Sequence, residues 1–395
     1  MSESRDVVVV SAVRTAIGTY AGSLAGTPPT DLAAACVKAA VERGGVAPGD
    51  VQHAVFGNVI HTEPRDMYLS RVAAVNGGLP VETPAVTVNR LCGSGLQAIV
   101  SAAQLIELGH ADCTIAGGAE CMSRGQYWIP GLRNGQRMGN AEVIDAMVGA
   151  LTDPFDDCHM GITAENVADK WDISREEQDA LAAESHRRAA AAVAAGYFKD
   201  QIVPIEIRKK RDTVVFDTDE HVREGTTAES LAKLRTVFKK DGSVTAGNAS
   251  GINDAAAALL LMAADTAESR GAKPLARLVG YGFAGVEPKY MGIGPVPATR
   301  SLLDRIGLSV DDIDVFEVNE AFAAQALAVA KDLGLPPEKT NPNGSGISLG
   351  HPIGATGSII SVKAVHELQR TGGRYALVTM CIGGGQGIAA VFERL

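Results

Sequence analysis

The chain has 395 residues, a formal net charge of −10, 46% hydrophobic but only 5% aromatic residues, and 44 glycines. That length exceeds one small domain and implies two domains or a duplicated one, and the Ala, Val and Gly content favours an α/β class with helices packed closely on parallel strands. The acidic balance argues against a nucleic-acid partner, and six irregularly spaced cysteines without a CxxC pair argue against a disulfide framework.

The chain opens on polar MSESRD and runs into VVVVSAV at 7–13, which reads as a first strand rather than a leader or anchor. No apolar run approaches bilayer-spanning length, so a cytoplasmic protein with no membrane partner is expected. HAVFGNVI at 53–60, AVTV at 85–88 and CTIAGGAE at 113–120 read as further strands, with AVTV buried. Between the last two, a helix over Leu96 to Leu108 places Leu96, Ile99, Val100, Ala103 and Ile106 on one face. From Lys273 the cadence returns: ARLVGYGFAG, DVFEVNEAFAAQALAVAKDLG, a glycine-rich turn and helix at 343–368, then ALVTMCIGGGQGIAAVFERL. Two related α/β halves follow, residues 1–121 with 252–272 and residues 273–395.

The segment 122–251 between them is charged and irregular, as expected of an excursion that covers a site or builds an interface. In it Ser174 and Glu177 form an S-x-x-E capping box that opens a long helix, which Gly196 stops. The basic RKKR at 208–211 lies in the same insert.

Four stretches carry candidate chemistry. In NRLCGSG, Cys92 falls at a strand-to-helix turn, where free N–H groups and the helix dipole can lower a thiol from about 8.5 to roughly 3.5–7.5. A packing role for this cysteine is the alternative. In NPNGSGISLGHPIGATGS, Pro352 biases His351 towards an extended backbone just before a helix. In ALVTMCIGGGQG, a strand ends at Cys381 and three glycines that invite close approach of a ligand, although Cys381 could equally be a buried apolar residue. In DVFEVNEAFAAQ, Asn319 stands before a helix, either as its N-cap or to orient a water or an oxyanion. Nucleophile, base and oxyanion donors are the parts of acyl transfer.

Together with AGNASGIND, these motifs resemble the thiolase family over essentially the whole chain. FGNVIHTEPRDMYLSRVAAVNGG is further similar to short-chain, broad-specificity bacterial β-ketothiolases. The resemblance implies an α/β thiolase fold, two duplicated βαβαβαββ halves in a layered αβαβα core with an inserted loop domain. It implies an acyltransferase that cleaves acetoacetyl-CoA or 3-ketovaleryl-CoA with CoA, and runs the reverse Claisen condensation, by a ping-pong route. Cys92 would be the acylated nucleophile, His351 its activator and Cys381 the acid–base at the α-carbon. One oxyanion hole would comprise His351 and a water held by Asn319, the other the N–H groups of Cys92 and Gly383. Coenzyme A would be a substrate, met by Ser250 and Ala249 along the pantetheine and by Arg223 and Ser230 at the nucleotide. Leu151, His159, Met160, Met291, Ala321 and Phe322 would wall the acyl pocket. No permanent cofactor or metal is implied, and a homotetrameric assembly is, in the setting of fatty-acid metabolism or polyhydroxyalkanoate biosynthesis. Two departures from the family wording are Cys121, where serine is usual, and RGQYWIP at 124–130. A decarboxylating 3-ketoacyl synthase on the same fold pairs its cysteine with two histidines, whereas here Cys381 holds the third place.

Overall fold

The computed structural model describes residues 5–209 and 212–395, so Lys210 and Arg211 of the basic cluster lie outside the described residues. The N-terminal half contains β1 (Val7–Thr15), α1 (Pro29–Gly44), β2 (His53–Gly57), α2 (Leu69–Asn76), β3 (Ala85–Val88), α3 (Ser94–Glu107) and β4 (Cys113–Cys121). The insert carries α4 (Met160–Trp171) and α5 (Arg175–Ala195), and β5 (Asn253–Ala263) returns the chain to the core. The C-terminal half contains β6 (Ala276–Gly285), α6 (Pro295–Ile306), β7 (Val315–Val318), α7 (Ala323–Leu333), α8 (Thr356–Thr371), β8 (Tyr375–Ile382) and β9 (Gln386–Arg394).

The strands pair in the order β7-β8-β9-β6-β1-β5-β4-β2-β3. Read outward from the centre, one half runs first, last, fourth, second and third strand. The other half repeats this, with Thr340 bridging Phe316 in parallel where a third strand would stand. The halves meet where Val7–Val9 pairs antiparallel with Leu278–Ala276. Along this order only the outer pairs β2/β3, β2/β4 and β7/β8 are parallel, with the short Ile202–Val203 strand adding a parallel pairing to the end of β1, so the expectation of parallel sheets holds mainly at the flanks and fails along the centre. The reason is local: β9 follows β8 through a three-glycine turn, far too short for the crossover that parallel pairing needs.

Helix α8 packs on α3, on β1 and β5 of one half, and on β7 and β8 of the other. It is therefore sandwiched between the halves, with every residue from Thr356 to Val365 buried. Ile359, Ile360, Val362 and Val365 are at most 3% exposed, and each such side chain contributes roughly 1.5–3 kcal/mol by burial. The helices α1 and α2 cover the outer face of the first half, and α6 covers β6, β8 and β9 on the far side, which makes five layers.

The N-termini of α3 and α8 touch. A Cβ at Gly95 would stand 2.7 Å from the Ser358 nitrogen, and one at Gly357 would stand 2.3 Å from the Leu96 nitrogen. Small residues thus let the backbones approach, and Ser358 seals the contact by donating to the Gly95 carbonyl at 2.9 Å. Cys92 and His351 each lie just before one of these helix starts, so this contact brings them towards one another.

Local details follow the chemistry of their residues. Ser174 and Glu177 form the reciprocal capping box, and Gly196 ends α5 at φ 75°. Helix α3 begins at Ser94, two residues before the predicted start. Strand β3, predicted to be buried, is a partly exposed edge strand with Val86 45% accessible, because only β2 pairs with it. Arg14 of β1 grips Asp219 of the insert with two hydrogen bonds of 2.7 and 2.9 Å in a fully buried ion pair. Removing one partner would strand a buried charge at a cost of about 3–5 kcal/mol. Cys121 is buried, and its thiol faces the Thr27 carbonyl at 3.1 Å, a hydroxyl-like use of sulfur. Among the described residues, no helix is long and apolar enough to cross a membrane.

Candidate active site

Two strand-to-helix junctions, one helix-to-helix turn and one strand end, all distant along the chain, build the site. Cys92 precedes α3, His351 precedes α8, Asn319 follows β7, and Cys381 is the last residue but one of β8. A Cβ on Gly93 would come within 2.6 Å of the Ile382 side chain, so the Cys92 and Cys381 segments are in contact. Asn319 is not the N-cap of α7, a place that Phe322 takes, so that reading of the asparagine is corrected.

The hydrogen-bond chain around His351 defines its proton. Thr356 donates its only hydroxyl proton to the Pro352 carbonyl at 2.9 Å, leaving its oxygen to accept from His351 Nδ1–H at 2.7 Å. The Nε2 lone pair is then free for base work, and Asn319 Nδ2 faces it at 3.4 Å. Burial lowers the imidazole to about 4, so His351 is neutral near pH 7. Asn253 holds the backbone of His351, accepting its N–H at 2.9 Å while donating to the Gly18 carbonyl at 3.0 Å.

The thiols do not show the acidification anticipated for Cys92. Burial pushes it up to about 11, and the N–H groups of Gly383 and Cys92 itself, which face the sulfur, only partly offset that. The turn is apolar: Cys92 packs with Ile60, Met122, Leu151 and Ile353, and desolvation of a thiolate outweighs a helix start. Cys381 is fully buried and raised further, first by burial and then by the charge of Cys92, whose field it feels. All six cysteines are free.

A cavity of about 820 Å³ opens beside His351, lined by it and by Leu151, His159, Arg223, Ser230, Ala249, Ser250 and Phe322 among the sequence candidates, whereas Cys92, Asn319, Cys381 and Gly383 are not on its lining. Met160, Met291 and Ala321 are not on its lining; they form an apolar cluster with Cys381, Phe322 and Phe238 behind it. Ser250 and Ala249 are placed by pairing of the AGNAS and NEAF segments: Ser250 N–H donates to the Ala321 carbonyl at 2.9 Å, and Ala249 bridges Phe322. His159 caps α4 by accepting the Gly161 N–H at its Nδ1, 3.0 Å, and stacks on Phe238 with ring centroids 4.6 Å apart. Among the described lining residues Arg223 is the one permanent cation, suited to a single phosphate rather than to a broad polyanion.

Several residues shaping the cavity had no clear sequence signal. Phe238 stacks from the irregular part of the insert. His186 and His221 lie 6.5 Å apart on its wall, both held near 4, mainly by burial. Thr356 and Asn253 stand inside quoted motifs, but their partners become visible only in three dimensions.

A duplicated αβαβα core with a cysteine and a histidine ahead of its two central helices, and an asparagine and a second cysteine at strand ends beside them, defines an acyl-transferring enzyme of the thiolase class. Residues 7–265 match the family pattern "Thiolase, N-terminal domain" and residues 272–394 match "Thiolase, C-terminal domain", so the chain belongs to the thiolase family and is an acyltransferase. It is 66% identical to the beta-ketothiolase BktB of Cupriavidus necator, over 99% of this chain and 100% of that one. It is 53% identical to an acetyl-CoA acetyltransferase of Chromobacterium violaceum, over 98% and 100% of the two chains. The crystal structure of the Bacillus anthracis acetyl-CoA acetyltransferase superposes with a TM-score of 0.98 at 48% identity, covering both chains completely. Human mitochondrial 3-ketoacyl-CoA thiolase in complex with CoA superposes at 0.96, with 47% identity over 99% of this chain and 98% of that one.

Proposed function

We propose that this thiolase cleaves short-chain 3-ketoacyl-CoA, acetoacetyl-CoA and 3-ketovaleryl-CoA, with CoA, and condenses acetyl-CoA with acyl-CoA in reverse, by a ping-pong route through acyl-Cys92. The observation that carries the reading is that His351 lines the cavity with Asn319 Nδ2 3.4 Å from its Nε2, while Cys381 feels the charge of Cys92 and the Gly383 N–H faces the Cys92 sulfur.

In cleavage, His351 Nε2 takes the Cys92 proton as the sulfur attacks the 3-keto carbon. Because the thiol is held at about 11 and the imidazole at about 4, neither ionises alone, and proton transfer accompanies attack. The new oxyanion faces the N–H groups of Cys92 and Gly383. The C2–C3 bond breaks, and its electrons pass to the acetyl-CoA enolate, whose thioester oxygen meets protonated His351 and the water held by Asn319. Cys381 gives its proton to C2, and acetyl-CoA leaves. The proton on His351 then restores Cys381. His351 next takes the proton of incoming CoA, whose sulfur attacks acyl-Cys92, and returns it to the departing Cys92.

Ser250 and Ala249 line the pantetheine channel, Arg223 and Ser230 its outer end, and Leu151, His159, Met160, Met291, Ala321 and Phe322 set the acyl space. The protein works as a cytoplasmic homotetramer, a reading supported by the exposed Tyr127, Trp128, Leu132 and Met138 of the insert.

The test is initial-rate thiolysis of acetoacetyl-, 3-ketovaleryl- and 3-ketohexanoyl-CoA at several CoA concentrations. Parallel double-reciprocal lines and the highest kcat/KM on the two shorter substrates are expected. Intersecting lines, or a preference for the longest, would refute the ping-pong or the short-chain reading respectively.

A further inference from the structure

Glu120 of β4 is fully buried, and among the described residues no cation pairs with it. Its carboxylate instead collects four N–H donors. Oε1 accepts from Asn58 Nδ2 at 3.0 Å and Ile60 N at 3.1 Å, and Oε2 accepts from Val59 N at 3.1 Å and Gly354 N at 2.9 Å. Three of these donors come from the loop after β2, and the fourth from the turn between His351 and Thr356.

The two loops carry the walls around the nucleophile: Val59, Ile60 and Ile353 pack in one cluster with Cys92. Gly354 is fitted to the carboxylate, since a Cβ there would stand 2.4 Å from Glu120 Oε2. Burial pulls Glu120 towards the neutral acid, but each oxygen already accepts two N–H donors, so the group stands as the carboxylate, kept at a desolvation cost that its place in the strand does not require.

We infer that Glu120 is a positioning residue for catalysis, an acceptor-only clamp that ties the His351 turn to the wall of the Cys92 pocket. This rests on reading Cys92 as nucleophile and His351 as its base. Glu120→Gln keeps the shape but sets an NH₂ against two N–H donors in either amide orientation, which pushes one loop off its partner.

The experiment compares wild type and E120Q in acetoacetyl-CoA thiolysis, with thermal melting as a check on folding. Wild-type turnover tests the functional reading by itself. If wild type turns over, the clamp predicts that E120Q melts cooperatively and loses about 10- to 100-fold in kcat, with KM within about threefold, as misplaced reacting groups do. A folded E120Q with wild-type kcat, or one whose loss lies in KM alone, overturns the clamp. Should E120Q not fold, Gly354→Ala displaces the same turn while keeping the carboxylate. It is expected to show the same kcat-selective loss, and unchanged kcat there overturns the inference.

Discussion

Thr356→Val removes one hydroxyl and keeps the volume of the side chain. In the wild type that oxygen accepts His351 Nδ1–H at 2.7 Å and so keeps the proton off Nε2. His351 is only 5% exposed, so water cannot readily replace the lost acceptor. An unsatisfied buried donor costs about 1–3 kcal/mol, and that penalty falls on the one tautomer whose Nε2 can act as base. At about 1.4 kcal/mol per tenfold, the base-competent fraction drops by roughly 5- to 150-fold. Thr356 is buried and off the cavity lining, so the loss should appear in kcat with KM nearly unchanged. Thr356→Ser restores the acceptor and should return most of the activity. Steady-state thiolysis of acetoacetyl-CoA by the three proteins measures this, and a Thr356→Val enzyme within about twofold of wild-type kcat would refute the assignment of the proton to Nδ1.

Cys92→Ser should form no acyl-enzyme on exposure to acetyl-CoA, checked by intact-protein mass spectrometry; an adduct at wild-type yield would exclude it as nucleophile. Cys381→Ala should still become acylated but stop exchanging the α-protons of acetyl-CoA with deuterated solvent, and undiminished exchange would contradict its acid–base role. His186 and His221 have folded values of about 4 against 6.5 for the free side chain, so between those limits the unfolded chain binds more protons than the folded one. Stability should therefore fall as pH drops from 6.5 to 4, and the melting midpoint should decline across that window. Replacing both histidines with asparagine should make the decline shallower, leaving the share of His351, and an unaltered slope would rule them out as contributors.

The elements were legible where local chemistry is strong. The valine runs announced β1, the capping box announced α5, and the cadence after Lys273 announced the second half. The motifs also marked Cys92, His351, Asn319 and Cys381, because glycines and a proline beside reactive side chains are poor packing material. What escaped depended on contacts across the chain. The exposure of β3 follows from its having one neighbour, which its AVTV wording does not encode. The rise of the Cys92 thiol follows from Ile60, Met122 and Ile353 around it, and these outweigh the helix start that the local sequence advertises. Glu120 did leave a trace, a charge inside an otherwise small and apolar strand, but its four donors come from loops 61 and 234 residues distant.

Burial keeps both Cys92 and Cys381 protonated at rest. With Cys92 raised by burial, the thiolate is the minor form at pH 7. Peroxides, epoxides and aldehydes that attack free thiolates therefore find almost none on the idle protein. On the proposed route the substrate is what lines up the N–H groups and the imidazole with the reacting carbonyl, so the same sulfur would be slow towards metabolic debris and still reactive towards its substrate.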